Sequence, residues 1–126
     1  AADPEAATHR AFGVPAGVII EDESATSWPV SVTMGQLLAV GINPTGELPE
    51  PQNPFAAMDT LNQREGFELT EIDHQIAAGH GTQLAGHFLI DRDGIVRWLQ
   101  IEAADRMGDL SKFPSDEEIL REARGL

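Results

Sequence analysis

The clearest hydrophobic pattern lies in residues 84–102, where two apolar runs flank the dipeptide Asp93-Gly94. Asp-Gly between apolar runs is a strong hairpin signal, because both central residues of a type I′ turn need a positive φ. The pattern therefore predicts a β-hairpin over residues 87–101 with a type I′ turn centred on Asp93-Gly94. The expected cross-strand pairs are Phe88–Leu99, Leu89–Trp98 and Ile90–Arg97.

Both faces of this hairpin are apolar. One face carries Phe88, Ile90, Leu99 and Ile101, and the other carries Leu89, Val96 and Trp98. Two apolar faces predict a sheet covered on both sides, as in α/β proteins with helices on each face. A two-stranded sheet is marginal by itself, so the hairpin needs further strands. These come either from weak strands near Val18 or Val30 or from strands outside this chain.

Helical patterns with capping signals occupy most of the remaining chain. The sequences TMGQ and SDEE each have the Ser/Thr-x-x-Gln/Glu spacing of a capping box. Thr70 and Asp73 predict a further cap, and Asn53-Pro54 predicts a helix entry. The helices expected are Asp3–Phe12, Met34–Val40, Pro54–Glu65, Glu71–Ala78 and Asp116–Arg124, with Gly13, Gly41, Gly66 and Gly79 as their stops.

The segments between these helices predict little regular structure. Val18–Ile20 has strand-forming residues, but Gly, Pro and acidic residues crowd it, so we expect mostly loop there. Four prolines between residues 42 and 54 predict an extended connector. We therefore expect one domain over residues 1–126.

Composition narrows the classes of function. The chain has 126 residues, a net charge of −13 and no cysteine. An acidic surface repels nucleic acid and anionic membranes, and no apolar stretch approaches the ~20 residues of a membrane helix. Without cysteine the chain has no thiol of its own for catalysis, disulfides or metal binding. The start has no signal-peptide pattern and no Met, so we expect a processed or excised N-terminus.

Residues that could carry other chemistry form no strong motif. The four histidines lack the i, i+4 spacing of a zinc helix, although His80 and His87 could approach each other near Asp73 or Asp91. Asp91–Gly94 resembles the start of a calcium loop, but the later ligands are out of register. No phosphate loop or Gly-x-Ser-x-Gly elbow is present. We therefore expect no metal and no cofactor, with Trp28 and Trp98 as core or interface aromatics.

Three segments, in order along the chain, resemble one family. These are ADPEAATHRAFGVP, GHFLIDRDGIVRWLQIE and SDEEILREARGL. They resemble the last part of peroxiredoxin-like redoxins, the superfamily of alkyl hydroperoxide reductase C and thiol-specific antioxidant proteins. The resemblance implies a partial thioredoxin-like fold, whose earlier strands and cysteine-bearing helix lie outside this chain. It also implies that residues 16–81 are a helical, Pro-rich insertion, as in a divergent subgroup of the family. It also implies a cytoplasmic protein whose parent acts on peroxide or disulfide.

The same resemblance locates a pocket wall at Ala85, Gly86 and His87. No proline precedes this strand, where thioredoxins have a cis-proline, and Ala85 occupies the position of an arginine in typical peroxiredoxins. The chemistry is thus expected elsewhere or in altered form, with no catalytic residue in this chain. The alternative is a non-catalytic oligomerising or protein-binding module that forms a homodimer through the hairpin edge.

Overall fold

A single stretch of chain, residues 82–90, takes part in two small sheets of this computed structural model, which describes residues 5–80 and 82–126. The strands are β1 (Ala16–Ile19), β2 (Ser31–Val32), β3 (Thr82–Gln83), β4 (Gly86–Ile90) and β5 (Val96–Ile101). The first sheet has the order β2-β1-β3, and β4 pairs with β5 in the second. Within the described residues the helices are α1 (Ala7–Ala11), α2 (Met34–Ala39), α3 (Pro54–Glu65), α4 (Glu71–His80) and α5 (Asp116–Arg124).

The prediction of loop over Val18–Ile20 is wrong, because most of that segment belongs to β1. Val18 and Ile19 pair in parallel with Ser31 and Val32 of β2. On its other side β1 pairs antiparallel with β3. The strand forms because partners distant in sequence satisfy its backbone, which local composition does not reveal. The weak strands thus exist, but they build their own sheet instead of extending the hairpin.

The hairpin forms with the expected register over most of its length. Phe88 lies opposite Leu99 and Leu89 opposite Trp98, as predicted. Ile90 pairs with Val96 instead of Arg97, because an irregularity between Leu89 and Ile90 shifts the register.

The prediction of a type I′ turn is wrong. Gly94 N–H donates to the Asp91 carbonyl at 3.1 Å, which makes Arg92 and Asp93 the central residues. Of the turn residues only Gly94 has a positive φ, of 80°. The connection is therefore an ordinary turn followed by a glycine in the left-handed region, the common longer hairpin loop.

The Asp91 side chain holds this turn together. Its Oδ1 accepts hydrogen bonds from the backbone N–H groups of Asp93 and Ile95, both at 2.9 Å. Its Oδ2 accepts from Arg97 Nε at 2.6 Å. The Ile95 amide and then the Arg97 guanidinium lower the pKa of Asp91. The carboxylate that suggested a calcium loop is thus already occupied by donors.

The capping signals predict the helices well. Both capping boxes form, Thr33 with Gln36 at α2 and Ser115 with Glu118 at α5. Asn53 caps α3, which ends at Gly66 with a φ of 67°. At the start of α4, the Asp73 carboxylate accepts from the Thr70 N–H and the Thr70 hydroxyl oxygen accepts from the Asp73 N–H.

Two helix boundaries differ from expectation. Helix α4 runs through Gly79 to His80, because an isolated glycine weakens a helix without having to end it. Helix α1 begins only at Ala7, after Ala6 with a φ of 50°. The left-handed Ala6 separates α1 from Glu5, while the expected cap at Asp3 lies outside the described residues.

The expected extended connector is instead a closed loop. Ile42 and Gln52 exchange two backbone hydrogen bonds, at 2.8 and 3.1 Å, and so join the ends of the loop. Inside it, the Asn43 side chain bonds both the N–H and the C=O of Leu48. Leu48 and Ile42 are buried. The loop closes because its apolar residues enter the core.

The core joins these elements and supports a mixed α/β architecture. Its buried residues are Val14, Val32, Leu37, Ile42, Leu48, Ala57, Leu84, Ala103 and Leu110. On one face of the hairpin, Phe88 packs against Phe12 after α1, with ring centroids 5.0 Å apart. On the other face, His87 lies 5.7 Å from Phe113, just before α5. The helices cover the hairpin only in part, because Ile90 and Leu99 remain 49% and 54% exposed.

Among the described helices, none is long and apolar enough to cross a membrane.

A substitution at Gly86 tests the close packing of the hairpin face that contains Phe88. A Cβ at this position would lie 2.7 Å from Phe88 Cε2 and 2.8 Å from Val14 Cγ2. We expect Gly86→Ala to lower the free energy of unfolding by about 2 kcal/mol, because overpacking forces neighbouring side chains to shift. Urea denaturation measures this change.

The matched control is Gly108→Ala. A Cβ at Gly108 meets no atom within 4 Å, so its effect should stay within about 0.5 kcal/mol. Equal stability of the two variants would contradict the close approach of β4 to Val14.

Candidate functional site

The three residues predicted as a pocket wall do not share one face of the hairpin. Side chains alternate along a strand, so Ala85 and His87 project to one side and Gly86 to the other. The register places Gln100 opposite His87, and Glu102 lies opposite Ala85, as its backbone hydrogen bond shows. The candidate site is therefore the face formed by Ala85, His87, Gln100 and Glu102. Gly86 instead belongs to the face that packs on Val14.

Glu102 fixes the geometry of this site. Its side chain is buried, with the residue only 8% exposed. Oε2 accepts a hydrogen bond from Ala85 N–H at 3.0 Å, and Oε1 accepts one from Ser111 N–H at 2.6 Å. The Glu102 N–H in turn donates to the Ala85 carbonyl at 2.9 Å. A buried carboxylate needs such donors, and here they tie β5 to the start of β4 and to the loop that follows β5.

The loop after β5 has two non-glycine residues in the left-handed region. Ala103 has a φ of 49° and Ser111 a φ of 63°. Such conformations cost roughly 1 kcal/mol or more each and persist only where the surroundings hold them. Glu102 holds Ser111, and Trp28 Nε1 donates to the Ala103 carbonyl at 2.6 Å. Trp28 also packs against the core, which confirms its expected role as a core aromatic.

His87 and Gln100 form the polar centre of the site. The Nδ1 of His87 and the Oε1 of Gln100 are buried, and neither has a hydrogen-bond partner among the described residues. Gln100 Nε2 makes two long contacts, both of 3.4 Å, with the carbonyls of Ile101 and Lys112. The Phe113 ring covers His87. The site thus combines one imidazole, one amide and one carboxylate beneath an apolar lid.

The other histidines do not join His87. His9 on α1 and His74 on α4 are exposed, and the side chain of His80 lies outside the described residues. In the part of the chain that the structure describes, no group of three His, Asp or Glu residues is placed to hold a metal ion.

One cleft lies away from the candidate site, between the hairpin turn and the end of α5. It has a volume of about 890 Å³, and its lining includes Arg92, Arg97, Asp91, Asp93 and Glu122. Charges of both signs line it, and Arg97 already pairs with Asp91. A smaller cleft of about 450 Å³ includes Gln100 and Phe113 and so borders the site.

Comparison with known proteins adds no assignment. No family model, no curated protein and no solved structure matches this chain. The sequence analysis identified His87 but missed Glu102 and Gln100. The available signal was the pair of polar residues within the otherwise apolar segment WLQIE, since a polar residue in a buried strand needs a partner.

Glu102→Gln tests the role of the carboxylate. The amide keeps one acceptor oxygen but turns an NH₂ group toward a backbone N–H that has lost its partner. We expect a loss of about 2 kcal/mol in the free energy of unfolding, because a buried N–H is left unpaired. Urea denaturation measures the loss, and amide exchange at Ser111 should accelerate.

Glu68→Gln is the matched control, because Glu68 is exposed and should change stability by no more than about 0.5 kcal/mol. If both variants unfold at the same urea concentration, Glu102 does not hold the loop.

Proposed function

We propose that this chain is the non-catalytic closing part of a thiol-dependent, redoxin-type protein. It would contribute the hairpin β4–β5, the helix α5 and one wall of a pocket. The reactive cysteine would belong to another segment or partner, since this chain has none. There, a thiolate would attack a peroxide oxygen, forming a sulfenic acid and releasing water or an alcohol.

The unpaired edge of β4 carries this proposal. In an antiparallel pair, successive residues point their N–H and C=O groups alternately toward and away from the partner strand. Ala85 bonds Glu102 across the hairpin, so the backbone groups of Gly86 and Phe88 point away from β5. The described sheet containing β4 has only two strands, which leaves this edge without a ladder.

The edge is open because β1 stops short of it. Leu84 N–H donates to the Pro15 carbonyl at 3.3 Å, on the side of the strand opposite to β5. Upstream of Pro15 the chain turns away at Gly13, with a φ of 72°, and enters α1. Among the described residues, β1 pairs with β2 and β3 but not with β4, so no described strand continues the line of β1 along β4. An additional strand there would be flanked by the Phe12 face and the Phe113 face of the hairpin.

The polar face of the hairpin fits a supporting role. Ala85 presents no functional group, and Glu102 is occupied by two backbone donors. His87 is then the titratable group of this face that remains without a partner. This face would supply hydrogen bonding and shape to a pocket, while the redox chemistry comes from the cysteine.

Amide exchange tests the open edge within one strand. We expect the Phe88 N–H to exchange much faster than the neighbouring N–H groups of His87 and Leu89, which point toward β5. The three residues share one strand, so His87 and Leu89 are matched controls. Native-state exchange followed by NMR resolves each amide.

Two results would contradict the proposal. Equal protection of Phe88 and Leu89 in the monomer would show that the edge needs no further strand. Turnover by this chain alone in a thiol-coupled peroxide assay would show chemistry independent of cysteine.

A second candidate is a non-catalytic module that pairs with a copy of itself. The hairpin exposes the apolar side chains of Ile90 on β4 and Leu99 on β5, and two β4 edges could pair about a two-fold axis. An unshielded apolar edge favours such pairing.

Light scattering after size exclusion separates the two candidates. The closing-part proposal expects a monomer with a mass near 13.6 kDa, which aggregates at high concentration. Self-pairing instead expects a dimer in which Phe88 is protected and loses protection on dilution. A dimer whose Phe88 amide stays unprotected would exclude pairing through β4.

A further inference from the structure

We propose that Gln100 acts as a positioning residue for His87, by holding its imidazole in the tautomer that carries the proton on Nδ1. The inference rests on the proposed function only in giving His87 a place in a pocket. The arrangement of the two side chains stands without it.

Both groups are buried polar atoms that need a partner. His87 Nδ1 and Gln100 Oε1 are the buried side-chain atoms without a hydrogen-bond partner in the described part of the chain. Desolvated polar atoms are normally paired in folded proteins. They belong to residues directly opposite each other on β4 and β5. Side chains at such positions lie roughly 4.5–5.5 Å apart at Cβ. In the proposed pair, a rotation of the His87 ring closes the hydrogen bond while Gln100 keeps its Nε2 contacts.

The orientation of the Gln100 amide makes the pair complementary. Its Nε2 faces two carbonyl oxygens, those of Ile101 and Lys112. The network therefore assigns the NH₂ to that side and leaves Oε1 as the unsatisfied acceptor. An acceptor there requires a donor, and neutral histidine provides one at Nδ1 only in the Nδ1–H tautomer.

The proton on Nδ1 determines the role of the other ring nitrogen of His87, Nε2. Of the two ring nitrogens of His87, only Nδ1 is among the buried atoms without a hydrogen-bond partner in the described residues, so Nε2 is the nitrogen that the proposed pair leaves available. With the proton fixed on Nδ1, Nε2 keeps its lone pair. The tautomer of a histidine is set by the hydrogen bond at its other nitrogen. Gln100 thereby makes His87 a proton acceptor, suited to a thiol donor such as the cysteine of the proposed pocket.

Ring nitrogen and carbon chemical shifts in NMR report the tautomer. At mildly alkaline pH we expect His87 to be predominantly Nδ1–H, whereas the exposed His9 and His74 serve as reference imidazoles in the same sample. Gln100→Met keeps the side-chain volume but removes the acceptor, and should shift His87 to the tautomer mixture of the references. Gln100→Glu loses the Nε2 contacts but keeps an acceptor oxygen, and should retain the Nδ1–H form.

The wild-type spectrum decides the inference even if a variant fails to fold. A His87 ring that is mainly Nε2–H in the wild type would overturn it. So would an unchanged Nδ1–H population in Gln100→Met. These readouts require no catalytic partner, so they can succeed or fail separately from the amide-exchange and peroxide tests of the proposed function.

Discussion

The geometry around β4 depends on the buried carboxylate of Glu102. Its two oxygens satisfy backbone N–H groups that would otherwise be buried without partners, one before β4 and one in the loop after β5. The second bond holds the backbone of Ser111, which has a left-handed conformation. Two residues later, the ring of Phe113 contacts His87. The carboxylate thus joins both strands of the hairpin to the loop that leads to Phe113. Such a bond is worth more than a neutral one, because hydrogen bonds to ionised groups are stronger.

Residues 82–90 connect the two sheets, because they pair with a different strand at each end. They pair first with β1 and then, on the opposite side, with β5. The bond from Trp28 to the Ala103 carbonyl makes a second link, between the segment before β2 and the loop after β5. These long-range bonds position the hairpin against the core, although the hairpin itself is largely exposed near its turn. The open part of the β4 edge begins where the contact with β1 ends.

Local signals in the sequence predicted the features that depend on neighbouring residues. The caps at Thr33, Asn53 and Ser115 form because each side chain reaches a backbone N–H a few residues away. Centring the turn on Asp93-Gly94 predicted the partners of Phe88 and Leu89, but not that of Ile90, where the register shifts. Features that depend on distant partners were missed, including β1, the burial of Leu48 and the bonds of Glu102. The fold class was predictable as mixed α/β, whereas the pairing within the site was not.

The sequence of β4 lacks the features that usually protect an exposed edge. Exposed edges are normally protected from further pairing by Lys, Pro, inward-pointing charges or bulges. The segment GHFLI of β4 contains no charged residue of these kinds and no proline, and its irregularity falls only at its end, between Leu89 and Ile90. By contrast, β5 carries Arg97. An apolar edge without such protection is a liability in a free protein, and the additional strand of the proposed function would remove that liability.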